Sequence, residues 1–532
     1  MVGALADSLH VANTFARAGL LAPSRPDRAL RAIVGLQRWG PTLAGGCLGA
    51  AARHPHAPAV IDELGTVNFT DLERGTNSLA RGLAGYGVRA GDGVAIMCRN
   101  HRGFVQASIA CSKLGAHALY LNTAFAGPQV SEVVRRESPA AIVYDQEFES
   151  QIDAARDGRV CLIAYCEGQA GTQPILDELI GERSDQALTP PDEPGRAVIL
   201  TSGTTGTPKG ANRPSPSSLG PAAALLSAIP LHARQNTVIA APLFHSWGFA
   251  HMLFGIGMAS TLVLQRRFDP RATLGAVAEH RATALIVVPV MLQRILELGP
   301  QALAQYDTSS LQVIAASGSA LPGPLAQRVM DAFGDKLYNL YGSTEVAWAT
   351  IASPEDLRAA PGTPGRPPRG TVVRILAGDS SELPAGRSGR IFVGSEMLFE
   401  GYTGGGDKAR IGSLMATGDV GHFDAGGRLF VEGRDDDMIV SGGENVFPSE
   451  IEDLLAGVPG VVEVAVIGVA DDEFGHRMRA FVVLEPGSSL TEAQLQDQVR
   501  RNLARYKVPR EIVFVEVLPR NATGKVMKRD LG

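Results

Sequence analysis

The chain has 532 residues, more than a single core of roughly 250–300 residues accommodates, so more than one domain is expected. Hydrophobic residues make up 45% and charged residues 20%, which excludes a disordered chain. Lys and Arg total 49 against 55 Asp and Glu, and a net charge of −6 argues against a nucleic-acid-binding protein.

The first 55 residues are rich in Ala and Arg. Arg25, Arg28, Arg31 and Arg38 alternate with Leu30, Ile33, Val34 and Leu36. The preferred reading is a surface helix packed on the core, and the alternative is an amphipathic helix making peripheral contact with a membrane. No basic segment followed by an unbroken apolar run opens the chain, so no secretory signal is expected. Cys47, Cys98, Cys111, Cys161 and Cys166 form no CxxC pair. They read as small buried residues of a reducing, cytoplasmic compartment.

Thr70 and Glu73 have the spacing of a capping box, with an amphipathic helix running on to Gly85. Residues 94–98 read as a buried strand, 104–114 as a helix, and 141–144 and 161–165 as strands. Further strand-length apolar runs lie at 197–201, 238–241, 285–290 and 313–316. Strands alternating with helices predict parallel sheets flanked by helices. Residues 247–264 form the most apolar segment, but His251, three glycines, Ser260 and Thr261 interrupt it, which favours a buried helix and strand over a membrane span. A proline- and glycine-rich break at 361–368 precedes short strands and glycine turns up to Gly433, a small β subdomain. The last part predicts strands at 462–469, 480–484 and 512–515. It also predicts a helix that opens at Thr491 with Gln494 three residues on and carries Leu495, Val499 and Leu503. The fold class expected is α/β. A large N-terminal domain of parallel-type sheets flanked by helices carries the small β subdomain, and a small mobile α+β domain follows it. The boundaries are 1–433, a hinge at 434–437, and 438–532.

The strongest chemical signal follows the strand at 197–201. Thr201, Ser202, Gly203, Thr204, Thr205, Gly206, Thr207, Pro208, Lys209 and Gly210 supply hydroxyls, backbone N–H groups that glycine leaves accessible, and one cation. That composition suits polyphosphate. It is not a Walker A loop, because proline precedes the lysine and glycine follows it.

This segment resembles the phosphate loop of the adenylate-forming superfamily, which includes acyl- and aryl-CoA synthetases, peptide-synthetase adenylation domains and beetle luciferases. Other motifs of that superfamily occur in order. Residues 316–322, with Gly318, Ser319 and Ala320, resemble its adenine-binding turn. Tyr341, Gly342, Ser343, Thr344 and Glu345 resemble its phosphate and magnesium motif, with Asn339 just upstream. Asp419 and Arg434 resemble its ribose-binding pair, and Lys525 its terminal catalytic lysine. The resemblance implies ATP, Mg2+ and coenzyme A as co-substrates and cofactors, with a carboxylic acid as the partner substrate. It implies Lys525, Glu345, Thr344 and His245 as catalytic residues and Glu345 as the metal ligand. Asp436 would be the hinge, and Gly442 and Gly443 would lie beside the coenzyme A arm. After the phosphate loop the chain departs from the usual pattern: residues 211–216 replace a valine and Thr-His run.

Each assignment also has a chemical reason. Glu345 is a hard oxygen ligand suited to magnesium. Asp419 can accept from both ribose hydroxyls, as acidic residues do in dinucleotide folds. Arg434 presents a fixed fork of donors. His245, Trp247 and Phe249 fall in the segment that opens the acyl pocket. Amino-acid-activating relatives carry an aspartate there to pair the ammonium, so His245 argues against an amino acid, and the aromatic residues resemble fatty-acyl-CoA synthetases. The expected activity is therefore a fatty-acid:CoA ligase. An aryl-CoA ligase or delivery to a carrier-protein thiol are the alternatives.

Overall fold

The computed structural model describes residues 2–168, 174–201, 209–212, 218–403, 405–435, 439–441, 444–471, 475–503, 507–521 and 524–532. The chain forms two compact units. The first comprises Met1–Ala315, Thr344–Ala347 and Glu396–Lys408; the second comprises Ala316–Ser343, Trp348–Ser395 and Ala409–Gly532.

The first unit opens with helices α1 (Val2–Arg17), α2 (Pro26–Trp39) and α3 (Leu43–Arg53). It then builds two sheets. One takes β1 (Pro58–Asp62), β2 (Gly65–Asn68), β9 (Asn236–Ile239), β10 (Thr261–Leu264), β11 (Ala284–Val287) and β12 (Val313–Ala316), in the order β12-β11-β9-β10-β1-β2. The other takes β3 (Gly93–Met97), β4 (His117–Tyr120), β5 (Ala141–Asp145), β6 (Val160–Tyr165), β7 (Ala197–Thr201) and β8 (Lys209–Asn212), in the order β6-β5-β3-β4-β7-β8. The pairs β3–β4, β3–β5, β4–β7 and β5–β6 are parallel, as are β1–β10, β9–β10 and β9–β11. Parallel strands covered on both faces are apolar throughout. Every residue of β5, β10 and β11 is buried accordingly, and these runs were legible as strands for that reason.

Two sequence expectations need correction. The helix α4 (Phe69–Gly85) is capped by Asn68, whose side chain accepts from the Asp71 N–H. Thr70 instead donates to the Pro55 carbonyl at 3.0 Å, so the Thr70–Glu73 spacing is not the cap. The strand expected over 285–290 stops at Val287, because Pro289 opens the helix Pro289–Leu296 in its first turn. The apolar segment at 247–264 divides as expected into a helix, Ser246–Gly257, and the strand β10.

The second unit contains β13 (Leu337–Tyr341) paired antiparallel with β14 (Thr350–Ala352). It also holds a five-stranded antiparallel sheet of β15 (Val372–Leu376), β16 (Gly389–Gly394), β17 (Arg410–Ile411), β18 (Leu414–Phe423) and β19 (Leu429–Arg434). A last sheet takes β20 (Ile439–Ser441), β21 (Glu444–Val446), β22 (Val461–Asp471), β23 (Gly475–Leu484) and β24 (Glu511–Phe514). The helices Pro448–Ala456 and Glu492–Asn502 bury Ile451, Leu455, Leu495 and Val499 in one apolar cluster with Val466, Ala480 and Val482 of this sheet. Thr491 caps the second helix in a full capping box with Gln494, as its spacing predicted. The fold is thus a large α/β part with parallel sheets, an antiparallel β subdomain and a small α+β domain, the class expected.

In the first unit α4 meets α5 (Arg102–Leu114) over a buried cation. Lys113 is 3% exposed, and its ammonium donates to Thr76 Oγ1 at 2.8 Å, Asn77 Oδ1 at 2.7 Å and the Glu73 carbonyl at 2.9 Å. It also lies 2.9 Å from Glu73 Oε1. Removing one side of a buried pair leaves the other charge unsolvated, at a cost of about 3–5 kcal/mol. Lys113→Met is therefore expected to lower the first urea-unfolding midpoint clearly. A midpoint equal to the wild type would show that this pair does not hold α4 to α5.

Candidate active site

In open parallel sheets ligands gather beyond the carboxyl ends of the strands. In the first unit Thr201 ends β7 and His245 follows the end of β9. Three residues past β3, Asn100 is 5% exposed, and its amide donates to the carbonyls of Ile239, at 3.1 Å, and Ala241, at 2.9 Å. Its oxygen accepts from the Leu243 N–H at 2.9 Å. One buried side chain thus ties the end of β3 in one sheet to the turn after β9 in the other. That turn carries His245, the residue before the helix Ser246–Gly257. Gly248 is required in the first turn of this helix, since a Cβ there would lie 2.2 Å from the Pro242 carbonyl oxygen.

His245 Nε2 is buried without a hydrogen-bond partner among the described residues, and burial pushes its pKa down to about 4. Trp247 is buried and its indole N–H donates to the Val287 carbonyl at 3.1 Å. His251 stands edge-on to Trp247 at 4.1 Å between ring centroids. Its Nδ1 lies 3.0 Å from the Trp247 carbonyl, an acceptor, so Nδ1 carries the proton and the buried Nε2 is a bare acceptor. Phe249 packs on Tyr120 at 5.2 Å, and Tyr120 on Phe104 at 5.0 Å. Trp247 and Phe249 are therefore packed into their surroundings rather than exposed.

The phosphate loop leaves β7 at Thr201 and returns at Lys209, its antiparallel partner in β8. Ser202, Gly203, Thr204, Thr205 and Gly206 lie outside the described residues. Thr207 and Pro208 also lie outside them, and Gly210, which follows Lys209, leaves little room for a side chain. A Cβ on Gly210 would lie 2.6 Å from Thr403 Oγ1, and the Gly210 carbonyl accepts from the Thr403 N–H at 2.8 Å. This close approach brings Tyr402 to the edge of β8, where Ala211 bridges it. Lys209 Nζ sits 5.4 Å over the Tyr402 ring. The Tyr402 hydroxyl donates to Glu345 Oε1 at 2.8 Å. The Glu345 carbonyl accepts from the Phe399 N–H at 2.8 Å, which anchors the 344–347 segment to the 396–408 segment. Ser246 donates to the Thr344 hydroxyl at 3.4 Å. The first unit therefore gathers Lys209, Glu345, Thr344, Ser246 and Tyr402 into one polar cluster. Ser246, Tyr402 and Asn100 escaped the sequence reading. Ser246 adjoins a motif already noted, whereas nothing in the local sequence marks Tyr402 or Asn100.

The second unit gathers another set. The Tyr341 hydroxyl donates to Asp419 Oδ2 at 2.5 Å. Asp419 and Arg434 are cross-strand partners in β18 and β19, with Arg434 Nη1 3.8 Å from Asp419 Oδ1. The Asp419 N–H donates to Thr417 Oγ1 at 3.0 Å, and Thr417 donates to the Ile391 carbonyl at 3.1 Å. Burial and the Asp419 carboxylate push the Tyr341 phenol well up. Ser317 donates to the Leu340 carbonyl at 2.8 Å, tying the start of the Gly318-Ser319-Ala320 turn to β13. Gly318 has φ +98°, which glycine accepts without strain, and Ser319 and Ala320 follow at the surface of this unit. Asn339 is buried in β13, and Gly342 and Ser343 follow its end, half-buried. Lys525 is exposed in a turn closed by its own N–H to Asn521 Oδ1 at 2.9 Å. Nearby Lys528 is instead paired with Glu452 at 2.7 Å. Asp436, Gly442 and Gly443 lie outside the described residues.

One further buried cluster, Cys98, His101 and Asp145, has potential metal ligands within 4.8 Å of one another. Its hydrogen bonds give it another role. His101 Nδ1 accepts from the Gly103 N–H at 3.0 Å, capping α5, so Nε2 carries the proton toward Asp145 Oδ1 at 2.7 Å. Asp145 Oδ2 accepts from the Arg99 N–H at 2.9 Å, and burial pushes the Cys98 thiol up. Both ring nitrogens are committed, and the cluster fixes the start of α5 beside Asn100.

The buried imidazoles generate a pH dependence. His251 titrates near 6.5 when unfolded but only near about 4 in the fold, because burial disfavours its charged form. Its contribution to stability is complete above about pH 6.5 and is lost as the pH falls toward 4, to a total of about 3 kcal/mol. His251→Leu is expected to lose less stability than the wild type between pH 7 and pH 5. A wild-type-to-variant difference independent of pH, measured by urea unfolding at each pH, would contradict a buried neutral His251.

The chain is similar to known proteins over most of its length. The family described as AMP-binding enzyme matches residues 49–403, and the AMP-binding enzyme C-terminal domain matches 450–525. The chain is 32% identical to the indoleacetate–CoA ligase of Aromatoleum aromaticum, over 87% of this chain and 92% of that protein. It is 32% identical to the feruloyl-CoA synthase of an Amycolatopsis species, over 90% and 96%. It is 29% identical to the long-chain-fatty-acid–CoA ligase FadD13 of Mycobacterium tuberculosis, over 87% and 92%. Among solved structures it resembles ATP-bound MatB from Rhodopseudomonas palustris, with a TM-score of 0.82 at 27% identity over 92% of this chain and 98% of that one. It also resembles the o-succinylbenzoate CoA synthetase of Bacillus subtilis in complex with its acyl-adenylate intermediate, with a TM-score of 0.79 at 27% identity over 91% and 97%. The chain belongs to the AMP-binding enzyme family, the adenylate-forming superfamily whose motifs it carries in order.

Proposed function

We propose that this family member activates a hydrophobic carboxylic acid, a fatty acid in the first instance, and transfers the acyl group to coenzyme A. A carboxylate oxygen attacks the α-phosphorus of ATP and pyrophosphate leaves. The thiol sulfur of coenzyme A then attacks the acyl carbonyl carbon and AMP leaves. The observation that carries this reading is the polar cluster of Lys209, Glu345, Thr344 and Tyr402 at the ends of the phosphate loop.

In this reading the loop from Thr201 through Ser202, Gly203, Thr204, Thr205 and Gly206 to Lys209 holds the polyphosphate by N–H groups, hydroxyls and one cation. Glu345 would hold Mg2+. A carboxylate is a hard oxygen ligand suited to that ion, and the Tyr402 hydroxyl orients it. When bound, Mg2+ supplies positive charge to the crowded phosphates. Gly318, Ser319, Ala320, Asn339, Tyr341, Gly342 and Ser343 take the adenine side, and Asp419 and Arg434 take the ribose hydroxyls. Tyr341 fixes the Asp419 carboxylate in place, and Thr417 holds the Asp419 backbone. Lys525 stabilises charge shared by the attacking carboxylate and the α-phosphate. Residues 438–532 act as a mobile domain about Asp436, and Gly442 and Gly443 lie beside the pantetheine arm of coenzyme A.

The acid preference rests on His245, Trp247 and Phe249. Half-buried and neutral, His245 offers no counter-charge to an ammonium group, so an amino acid would lose the hydration of its charge without compensation. Aromatic walls favour an apolar tail. A second reading, an aryl acid, draws support from the same stacked rings and from the two aryl ligases among the relatives.

Incubated with ATP, magnesium, coenzyme A and a panel of acids, the enzyme is expected to form one acyl-CoA, one AMP and one pyrophosphate per turnover. Fatty acids should exceed any amino acid. ADP as the main product, or an amino acid as the best substrate in pyrophosphate exchange, would overturn the reading. Preference for aryl acids would select the second one.

Lys525→Ala separates a catalytic lysine from a structural one. Loss of a preorganised donor to developing charge costs about 3–4 kcal/mol, so adenylation should slow by about a hundred- to a thousandfold. An exposed turn lysine leaves folding nearly unchanged. Thioester formation from pre-formed acyl-adenylate should stay near the wild-type rate. An equal fall in both half-reactions would show that Lys525 serves both steps or supports its domain.

A further inference from the structure

The helix α2 is apolar on two opposite sides. Its fully buried residue, Gly35, lies against Leu48 of α3, so closely that a Cβ there would meet Leu48 Cδ2 at 2.9 Å. At 100° per residue, Leu30, Ile33 and Val34 share an arc of about 100° on the far side of the helix from Gly35. These three are 63%, 54% and 42% exposed, Leu36 is 42% exposed beside them, and Leu21 just upstream is 60% exposed. An α2 designed only to pack on α3 has no use for this ridge.

The surroundings of the ridge indicate what covers it. Residues 25–39 carry four arginines, Arg25, Arg28, Arg31 and Arg38, against one acidic residue, Asp27, in a chain whose net charge is −6. Arg25 and Arg31 both reach the exposed Asp27, at 3.1 and 3.0 Å, and their side chains are still 69% and 64% exposed. On the helix wheel the exposed Arg31 and Arg38 border this ridge along one side, next to Val34, while Leu36 extends it on the other. Exposed apolar residues bordered by exposed arginines match an interface with an apolar interior and an anionic rim. A second copy of this acidic chain offers a poorer charge match. From this ridge and its arginines we infer that α2 docks the protein on a lipid surface bearing anionic headgroups. Leu30, Ile33 and Val34 enter the headgroup boundary while the opposite face stays on α3. No helix among the described residues is long and apolar enough to cross a membrane, so this contact is peripheral. The inference does not depend on which acid the enzyme activates.

The test uses the full chain and vesicles of phosphatidylglycerol or of phosphatidylcholine, read by co-sedimentation at low and high salt. Wild-type protein is expected to bind phosphatidylglycerol vesicles at least tenfold more tightly than phosphatidylcholine vesicles, and less tightly as salt rises. The double variant Leu30→Glu with Ile33→Glu should lose at least tenfold of that affinity. It should keep its thermal midpoint and its pyrophosphate release with a short, water-soluble acid. Arg31→Gln with Arg38→Gln tests the same contact without touching the apolar ridge, should the first variant fold poorly, and should weaken binding severalfold. Absence of wild-type binding, equal binding to both vesicles, or unaltered binding by both variants would overturn the proposal. So would a wild-type dimer that the variants dissociate in sedimentation velocity, since a second copy would then cover the ridge.

Discussion

The geometry of the first unit depends on the buried amide of Asn100. It spends both donors and its acceptor on the turn that follows β9, and through that turn it fixes where His245 and the helix Ser246–Gly257 begin. An uncharged side chain can do this inside a core because all its polar atoms are satisfied; a half-satisfied amide would be worse than an apolar residue. The residues flanking it are held as firmly. His101 caps α5 and leans on Asp145, and Asp145 also takes the Arg99 N–H. Two parallel sheets are thereby locked together at the carboxyl ends of β3 and β9, and the aromatic packing around Trp247 follows from that anchor.

On this frame the polar cluster is assembled from distant pieces of chain. Glycine at 210 lets the 403 backbone approach β8, and Tyr402 then bridges the Lys209 end of the phosphate loop and the carboxylate of Glu345. In the proposed function, preorganised groups of this kind need no rearrangement when charge develops, which is where most catalytic stabilisation arises. The second unit follows the same economy. Asp419 and Arg434 face one another because two strands pair in register, Tyr341 holds the carboxylate, and Thr417 holds the Asp419 backbone N–H. Under the proposed function, the neutral His245 leaves an acid whose only charge is its carboxylate as the better substrate.

Much of this was legible in the sequence where one physical rule dominates. Parallel strands buried on both faces are apolar runs, so β5, β10 and β11 stand out, and Thr491 with Gln494 announces its helix by spacing alone. Legibility fails where the decision is tertiary. Thr70 has the spacing of a cap, yet Asn68 two residues earlier takes the role and Thr70 bonds to Pro55. An apolar run to residue 290 looked like strand, but Pro289 favours a helix start. Asn100 and Tyr402 act through partners that lie 139 and 57 positions away in the chain, and no local pattern reports such contacts.

The central claim is that a carboxylate oxygen of the acid attacks the α-phosphorus of ATP. An acid labelled with 18O in both carboxylate oxygens, incubated with ATP and coenzyme A, reports this bond directly by mass spectrometry of the nucleotide. The account predicts one 18O atom transferred to AMP and none to pyrophosphate. Label in pyrophosphate or inorganic phosphate, with unlabelled AMP, would contradict it.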